Sequence, residues 1–275
     1  MLKRTITAVA LVAIFVPIVI FSGTPVFPIV MAALSVIAAY EMLSCVGLKK
    51  NAAISASAYV FAAVVPFIPF FIKGSAVGMI FACAIILLIV FFTITVFSRG
   101  KLDYTLVSSA FSGIFYIGVS FASIVLLRNE GPYLYLLVFI GPWISDTFAY
   151  LTGRLVGKHK LIPEVSPKKT IEGSIGGIIF ASAAFVLYAL IIKQFFDSTI
   201  TPNYIVLAAS GAVVSVISQI GDLAASVIKR HFGIKDYGWL FPGHGGVMDR
   251  FDSVLLTAPV IYIISQIPAL HGILK

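Results

Sequence analysis

Acidic residues stand inside stretches of the sequence that are otherwise apolar. Asp146 and Asp222 each lie within a long hydrophobic run, Asp249 and Asp252 open another run, and Glu41 lies in an earlier one. A carboxylate deep in a membrane span costs roughly 2.5–3.5 kcal/mol on insertion scales, so each needs a partner or a function. Carboxylate oxygens suit Mg²⁺, which usually keeps waters or substrate phosphates in its shell. We therefore predict a divalent metal site, with simple ion pairing to Lys or Arg as the alternative for any single acid.

The spacing of these residues places them on common helix faces. Asp249 and Asp252 are three residues apart, and Asp222, Ser226 and Lys229 follow one another at intervals of four and three. Residues at such intervals share one face of a helix. The chain direction brings the four aspartates, from three predicted spans, to one depth near one membrane surface.

A first segment rich in glycine and lysine, residues 153–173, follows the span that contains Asp146. Lys168 and Lys169 supply positive charge for a phosphate, and Gly173 begins a glycine-rich helix start that could receive an anion. Gly173 and Gly177 are also four residues apart, which suits close packing of two helices. Packing and phosphate binding explain this segment equally well.

A second such segment, residues 229–249, leads from Lys229 to Asp249. Its basic residues Lys229, Arg230 and Lys235 would stand at the membrane surface, and its sharply turning run is Pro242-Gly243-His244-Gly245-Gly246. Bare glycine backbone can approach a phosphate closely. His244 could donate to that phosphate, although an isolated loop histidine is more often structural. Arg250 stands between two aspartates, where the simpler interpretation is a charge partner for them.

The composition shows which elements must hold these residues. Hydrophobic residues make up 60% of the 275 and charged residues 11%, against roughly 45–50% and about 25% in soluble proteins. Together with a mean hydropathy of +1.08, this predicts an integral membrane protein. It excludes soluble, disordered, coiled-coil and secreted disulfide-rich classes. Cys45 and Cys83 lie in apolar runs and are predicted to be packing residues.

Runs of about 20 apolar residues predict nine membrane-spanning helices. They cover about 6–22, 25–46, 52–72, 75–98, 104–127, 132–152, 174–193, 202–228 and 250–270. Residues 1–128 are predicted to form a hydrophobic scaffold of about five helices. Residues 129–275 are predicted to form a catalytic membrane region of about four helices with the two long loops.

The basic residues predict the orientation. With a cytoplasmic N-terminus, fifteen Lys and Arg residues fall on the cytoplasmic side and four on the other, which accounts for all 19. This asymmetry follows the positive-inside rule, so the net charge of +8 reflects topology rather than nucleic-acid binding. The predicted fold is an all-α polytopic membrane protein with its N-terminus in the cytoplasm and its C-terminus outside.

The segment from Ser226 to Asp252 resembles the signature of the phosphatidate cytidylyltransferases, also called CDP-diacylglycerol synthases. The matching residues are Ser226, Lys229-Arg230, Lys235-Asp236, Gly238, Pro242, His244-Gly245-Gly246, Asp249-Arg250 and Asp252. An upstream block also fits: Asp146, Ala149-Tyr150, Gly153-Arg154, Gly157-Lys158, Ser166-Pro167-Lys168-Lys169-Thr170, Glu172-Gly173 and Gly221-Asp222-Leu223. The resemblance covers roughly residues 142–252.

The resemblance implies an enzyme of phospholipid biosynthesis that condenses CTP with phosphatidic acid, giving CDP-diacylglycerol and pyrophosphate with Mg²⁺. The implied metal ligands are Asp222 and Asp249 first, then Asp146 and Asp252, with carboxylates enough for a second metal ion. The predicted catalytic residues are Asp222, Asp249, Lys229 and His244. The predicted substrate-binding residues are Lys168, Lys169, Ser226, Arg230, Lys235, Gly245, Gly246 and Arg250. The expected location is the cytoplasmic membrane, with the active site facing the cytoplasm, no nucleic-acid partner, and a homodimer as one role for the N-terminal helices.

Other functions compete with this one. A related enzyme could transfer CMP to an ether-lipid phosphate, or a CTP-dependent polyprenol kinase could transfer phosphate to a lipid alcohol. A membrane transporter would also place acids inside spans. A transporter site is expected near the bilayer midplane, often within inverted repeats, and the sequence shows neither feature.

Overall fold

The computed structural model describes residues 13, 15–241 and 243–267. The helices are α1 (Val26–Val46), α2 (Ala52–Val64), α3 (Ile68–Phe71), α4 (Ala76–Phe97), α5 (Tyr104–Glu130), α6 (Leu137–Val156), α7 (Ile171–Phe195), α8 (Tyr204–His231) and α9 (Met248–Gln266). Short 3₁₀ turns, Val65–Phe67 and Leu134–Leu136, precede α3 and α6. Two antiparallel strands, β1 (Lys160–Ile162) and β2 (Ser166–Thr170), form a hairpin between α6 and α7.

Seven helical segments of the described chain are long and apolar enough to cross a membrane. They are Val26–Val46, Ala52–Phe71, Ala76–Phe97, Tyr104–Glu130, Leu134–Val156, Ile171–Phe195 and Tyr204–His231. These match the second to eighth predicted spans, so the prediction of a mainly helical, multi-span chain is confirmed. Most of the predicted first span lies outside the described residues, although 15–20 are helical. The predicted ninth span corresponds to α9, which is not among the seven.

Local sequence explains where these helices break. The third predicted span is divided into α2, a 3₁₀ turn and α3 where Pro66 and Pro69 occur, because proline lacks the N–H that a continuous helix needs. Gly47, with φ of +83°, ends α1. Asn51 Oδ1 then accepts a hydrogen bond from Ile54 N at 3.1 Å and begins α2.

The two long loops differ in structure from each other. The first contains the β-hairpin, so the connection between Val156 and Ile171 is ordered by strand pairing. The second runs from His231 to Met248 and contains no named strand or helix. Gly233, with φ of +68°, turns the chain out of α8.

The chain divides into two compact units. The first unit comprises the residues up to Asn129 together with Lys229–Phe251, and the second comprises Glu130–Ile228 together with the residues from Asp252 onward. The second long loop therefore packs with the N-terminal helices. The assignment of catalysis to residues 129–275 alone stays a prediction.

Candidate active site

The second unit gathers two acids and a lysine from α6, β2 and α8. The Lys169 ammonium forms an ion pair with Asp222 Oδ2, and both side chains are partly accessible, at 24% and 30%. Asp146 is an exposed residue. Its carboxylate is repelled by that of Asp222 and attracted by the Lys169 ammonium. One lysine thus faces two carboxylates, which leaves a net negative charge open to a cation.

A serine hydroxyl links the third acid of this unit to Asp146. Ser253 Oγ lies 3.2 Å from Asp146 Oδ2 and 3.4 Å from Asp252 Oδ1. A hydroxyl carries a single hydrogen, so it can satisfy only one of the two carboxylates at a time. We name Asp146, Lys169, Asp222, Asp252 and Ser253 the acid–lysine cluster.

A glycine lets α8 approach α9 closely at this cluster. A Cβ atom added to Gly221 would lie 2.7 Å from the carbonyl oxygen of Asp252. Real Cβ atoms do not come so near to backbone, so any larger residue would push the two helices apart. The neighbouring residue Asp222 is placed by this contact.

A network of polar side chains, most of them buried, connects α6, α7 and α8. Ser145 Oγ and Ser215 Oγ are 2.7 Å apart, and Gln219 Nε2 donates to Ser215 Oγ at 3.2 Å. Ser174 Oγ donates to Gln219 Oε1 at 2.5 Å. Because Ser145 precedes Asp146 in sequence, this network orients the residue next to a predicted ligand.

Small residues bring α6 and α7 together. A Cβ at Gly173 would lie 2.6 Å from the carbonyl oxygen of Ala149, and one at Gly177 would lie 3.0 Å from that of Ser145. The Gly173 N–H donates to Thr170 Oγ1 at 3.1 Å, which caps α7. The packing interpretation of the Gly173–Gly177 spacing is confirmed, and the N–H of Gly173 is engaged by the protein.

In the first unit, Asp249 is surrounded by protein donors. Lys229 Nζ donates to Oδ1 at 2.9 Å, while the N–H groups of Tyr237 and Gly246 donate to Oδ2 at 2.8 and 3.0 Å. The Asp249 side chain is only 3% exposed. A carboxylate has about four lone-pair positions, so the protein fills most of those of Asp249.

The glycine-rich turn is shaped around the same aspartate. Phe241 N donates to Gly245 O at 2.9 Å, and His244 N donates to Phe241 O at 2.8 Å. Gly243 and Gly245 have φ values of +78° and +81°, which glycine adopts without strain. A Cβ at Gly245 would also lie 2.6 Å from Asp249 Oδ2. This turn therefore requires glycine for both conformation and space.

His244 and Pro242 are the two residues of this turn that are not glycine. The Nδ1 atom of His244 is buried and has no hydrogen-bond partner within the described part of the chain. Pro242 lies outside the described residues.

Sequence reasoning noticed Glu41 but gave it no role. Its carboxylate, buried in α1 with 3% of the residue exposed, accepts hydrogen bonds from Val247 N at 2.9 Å and Met248 N at 2.8 Å. The available signal was the one that identified the aspartates, namely an acid inside an apolar span. Its partners, more than 200 residues away, are backbone groups that no side-chain motif reveals.

The remaining predicted substrate-binding residues lie nearer the surface. Exposed residues of this set are Lys168, Arg230, Lys235 and Arg250, and Ser226 is partly buried one turn beyond Asp222. Lys168 is on β2 of the second unit, whereas Arg230, Lys235 and Arg250 belong to the first unit.

The carboxylates of the acid–lysine cluster are the protein groups that could hold Mg²⁺. Among residues 15–241 and 243–267, no three His, Cys, Asp or Glu side chains form a metal-holding group of their own. Mg²⁺ is ordinarily bound by one or two protein carboxylates together with waters and substrate phosphates. The two carboxylates of Asp146 and Asp222 match that number of protein ligands.

Comparisons with known proteins identify the family. The description "Cytidylyltransferase family" belongs to the family profile that matches residues 2–267. A protein of Staphylococcus haemolyticus named phosphatidate cytidylyltransferase is 33% identical over 95% of this chain and 97% of its own length. Proteins of the same name from Staphylococcus epidermidis and Staphylococcus aureus are each 34% identical over the same shares. This chain therefore belongs to the cytidylyltransferase family.

Proposed function

We propose that this protein condenses CTP with phosphatidic acid, producing CDP-diacylglycerol and pyrophosphate for phospholipid biosynthesis. It is a nucleotidyltransferase by family, and relatives over nearly its whole length carry the name phosphatidate cytidylyltransferase. The structural observation that carries the proposal is the acid–lysine cluster at helices α6, α8 and α9. It offers both signs of charge to an anionic substrate and its metal ion.

The reaction needs no nucleophile from the protein. An oxygen of the phosphatidic acid phosphate attacks the α-phosphorus of CTP and forms a new P–O bond. The bond from that phosphorus to the oxygen bridging to the β-phosphate breaks, and its electron pair leaves with pyrophosphate. Catalysis then consists mainly of positioning and charge neutralisation.

Basic residues lower the repulsion between the two anionic substrates. Lys169 is already ordered by its ion pair with Asp222, and we assign it to a phosphate when substrates bind. The other residues proposed to hold phosphates are Lys168, Lys229, Arg230, Lys235, Ser226 and Arg250. His244 and its flanking glycines Gly245 and Gly246 are proposed to lie over the triphosphate.

Mg²⁺ is the proposed cofactor. When bound, it neutralises phosphate charge and makes the α-phosphorus more electrophilic. Asp222 and Asp146 are the proposed ligands within the second unit, with Asp252 beside them. The signature also predicts Asp249, whose Oδ1 accepts a hydrogen bond from Lys229. Four carboxylates are also enough for a second ion.

The proposed setting is the cytoplasmic membrane, with nine spans, a cytoplasmic N-terminus and an outer C-terminus. The bias of Lys and Arg toward one set of connections supports this orientation. Phosphatidic acid would then reach the site from the inner leaflet and CTP from the cytosol. A homodimer through the N-terminal helices stays a prediction.

Turnover in detergent tests the function. Purified protein, CTP and phosphatidic acid with Mg²⁺ should release pyrophosphate and one equivalent of CDP-diacylglycerol, and chelation should stop both. Removing partners of metal ligands typically costs 10–100-fold, so Asp222→Asn should cost at least about a hundredfold. Asp197→Asn is the matched control, because within the described part of the chain the Asp197 carboxylate accepts hydrogen bonds from Thr199, two residues away.

The products separate this function from its alternatives. A polyprenol kinase would release CDP instead of pyrophosphate, and an ether-lipid enzyme would be inactive with phosphatidic acid. Near-normal Mg²⁺-dependent turnover in Asp222→Asn would contradict the metal assignment while leaving the reaction itself standing.

A further inference from the structure

From the contacts of the first unit we infer that Glu41 is a positioning residue for the reaction. Its carboxylate holds the turn that ends at Asp249, and the inference rests on the proposed function of that turn in binding CTP. The N-terminal helix α1 would thereby contribute to substrate binding without touching substrate.

Three consecutive backbone N–H groups are bound by carboxylates. Gly246 N donates to Asp249 Oδ2 at 3.0 Å, Val247 N to Glu41 Oε1 at 2.9 Å, and Met248 N to Glu41 Oε2 at 2.8 Å. Both Glu41 oxygens are used, one for each N–H. The backbone between the glycine-rich turn and α9 is thus fixed at three successive peptide groups.

The surrounding glycines are fitted to Glu41. A Cβ added to Gly238 or to Gly246 would collide with the Glu41 carboxyl group. The carboxylate therefore lies against two points of the second long loop, eight residues apart, as well as binding Val247 and Met248. One side chain fixes both ends of the segment that contains His244.

Glu41 does more than cap the N-terminus of α9. A carboxylate at a helix N-terminus is favourable, and hydrogen bonds to an ionised acceptor are the stronger kind. A serine or aspartate immediately before the helix could cap it without burying a charge that comes from another helix. Glu41 instead approaches from α1 and ties the loop to it, which fixes where His244 and Asp249 stand.

Glu41→Gln tests the inference. The glutamine amide presents a nitrogen to one backbone N–H, so one hydrogen bond is replaced by a donor–donor contact. We expect the CTP KM to rise about tenfold, the usual consequence of losing one charge-assisted hydrogen bond, with the KM for phosphatidic acid unchanged. Hydrogen exchange at Val247 and Met248 should accelerate while exchange in α1 stays as in the wild type.

Ser35→Ala is the matched control. Ser35 is fully buried in the same helix, and its Oγ has no hydrogen-bond partner among the described residues. This variant should match the wild type in both KM values and in exchange. Glu41→Asp should fail to restore the CTP KM, because the shorter side chain cannot reach both N–H groups.

The other outcomes overturn the inference. Unchanged CTP kinetics and unchanged exchange in Glu41→Gln would show that the loop does not depend on Glu41. Faster exchange throughout α1, with both KM values altered, would show a general structural role. If the wild-type protein released no pyrophosphate, the proposed function would fail, and exchange at Val247 and Met248 would still decide whether Glu41 holds the loop.

Discussion

The two units use carboxylates in opposite ways. In the first unit, Glu41 and Asp249 are buried and their oxygens accept bonds from backbone N–H groups and from Lys229. In the second unit, Asp146 and Asp222 are accessible and meet mainly each other and Lys169. The oxygens of the first pair accept hydrogen bonds from backbone N–H groups and Lys229, whereas the two carboxylates of the second pair share one lysine.

The difference shows how identical residue types acquire different roles. An acid whose lone pairs are filled by the backbone fixes the chain, because breaking those bonds would leave buried N–H groups unpaired. An acid that faces other acids repels them unless a cation intervenes. We therefore expect substitution of Asp249 to lower stability and substitution of Asp222 to alter metal dependence.

The largest expected difference is in stability. Asp249→Asn removes the charge that pairs with Lys229 and replaces one acceptor oxygen with an amide nitrogen, which faces either Lys229 or the N–H groups of Tyr237 and Gly246. Breaking a buried ion pair costs about 3–5 kcal/mol. Asp222→Asn should leave stability nearly unchanged, because it also removes repulsion with Asp146. Thermal unfolding in detergent measures the stability of the two variants. Equal losses of stability in the two variants would contradict the division between the units.

Substitution of Lys169 should separate metal binding from substrate binding. Lys169→Met removes the cation that competes for Asp222, so half-saturation by Mg²⁺ should shift to lower concentration. Turnover should nevertheless fall at least about tenfold, because a positioned charge on the phosphates is lost. Titration of activity with Mg²⁺ at saturating CTP measures both effects.

The control for this variant lies in the same unit, the second. Lys193→Met changes an exposed lysine near the end of α7 and should alter neither quantity. A higher Mg²⁺ requirement in Lys169→Met would mean that Lys169 supports the metal site rather than competing with it.

A smaller effect is expected from widening the distance between α8 and α9. Gly221→Ala places a Cβ 2.7 Å from the Asp252 carbonyl oxygen, and overpacking of this kind costs about 1–3 kcal/mol. Because the separation moves Asp222 and Asp252 apart, the Mg²⁺ requirement should rise. Gly78→Ala is the control, since nothing lies within 4 Å of its added Cβ. A normal Mg²⁺ requirement in Gly221→Ala would show that helix spacing does not tune the cluster.

Much of this arrangement could be predicted from the sequence. Hydropathy located the helices, because a span's length and apolarity are local properties of the chain. The Gly173–Gly177 spacing predicted a close helix contact, because two small residues four apart let helices approach. The ion pair of Asp222 with Lys169 was not predicted, since Lys169 had been assigned to a phosphate and Lys229 to the helix face of Asp222. The β-hairpin between Val156 and Ile171 was missed, since its short strands lack an alternating apolar pattern.

What could not be predicted depends on contacts distant in sequence. Glu41 binds Val247 and Met248 through their backbone, and backbone donors carry no sequence signature. The packing of Lys229–Phe251 with the N-terminal helices was hidden for the same reason. Residues 1–128 were predicted to be scaffold because their polar partners lie in another part of the chain.

The smallest expected effect comes from the buried polar network of the second unit. Gln219→Leu removes hydrogen bonds to Ser174 and Ser215, and such bonds in membrane proteins average about 0.6 kcal/mol each. The unfolding midpoint should fall slightly and turnover by only a few fold, because the network orients the backbone near Asp146 without touching substrate. Ser218→Ala, whose buried Oγ has no hydrogen-bond partner in the described chain, should change neither. A loss of turnover as large as that of Asp222→Asn would instead place Gln219 among the groups that meet substrate.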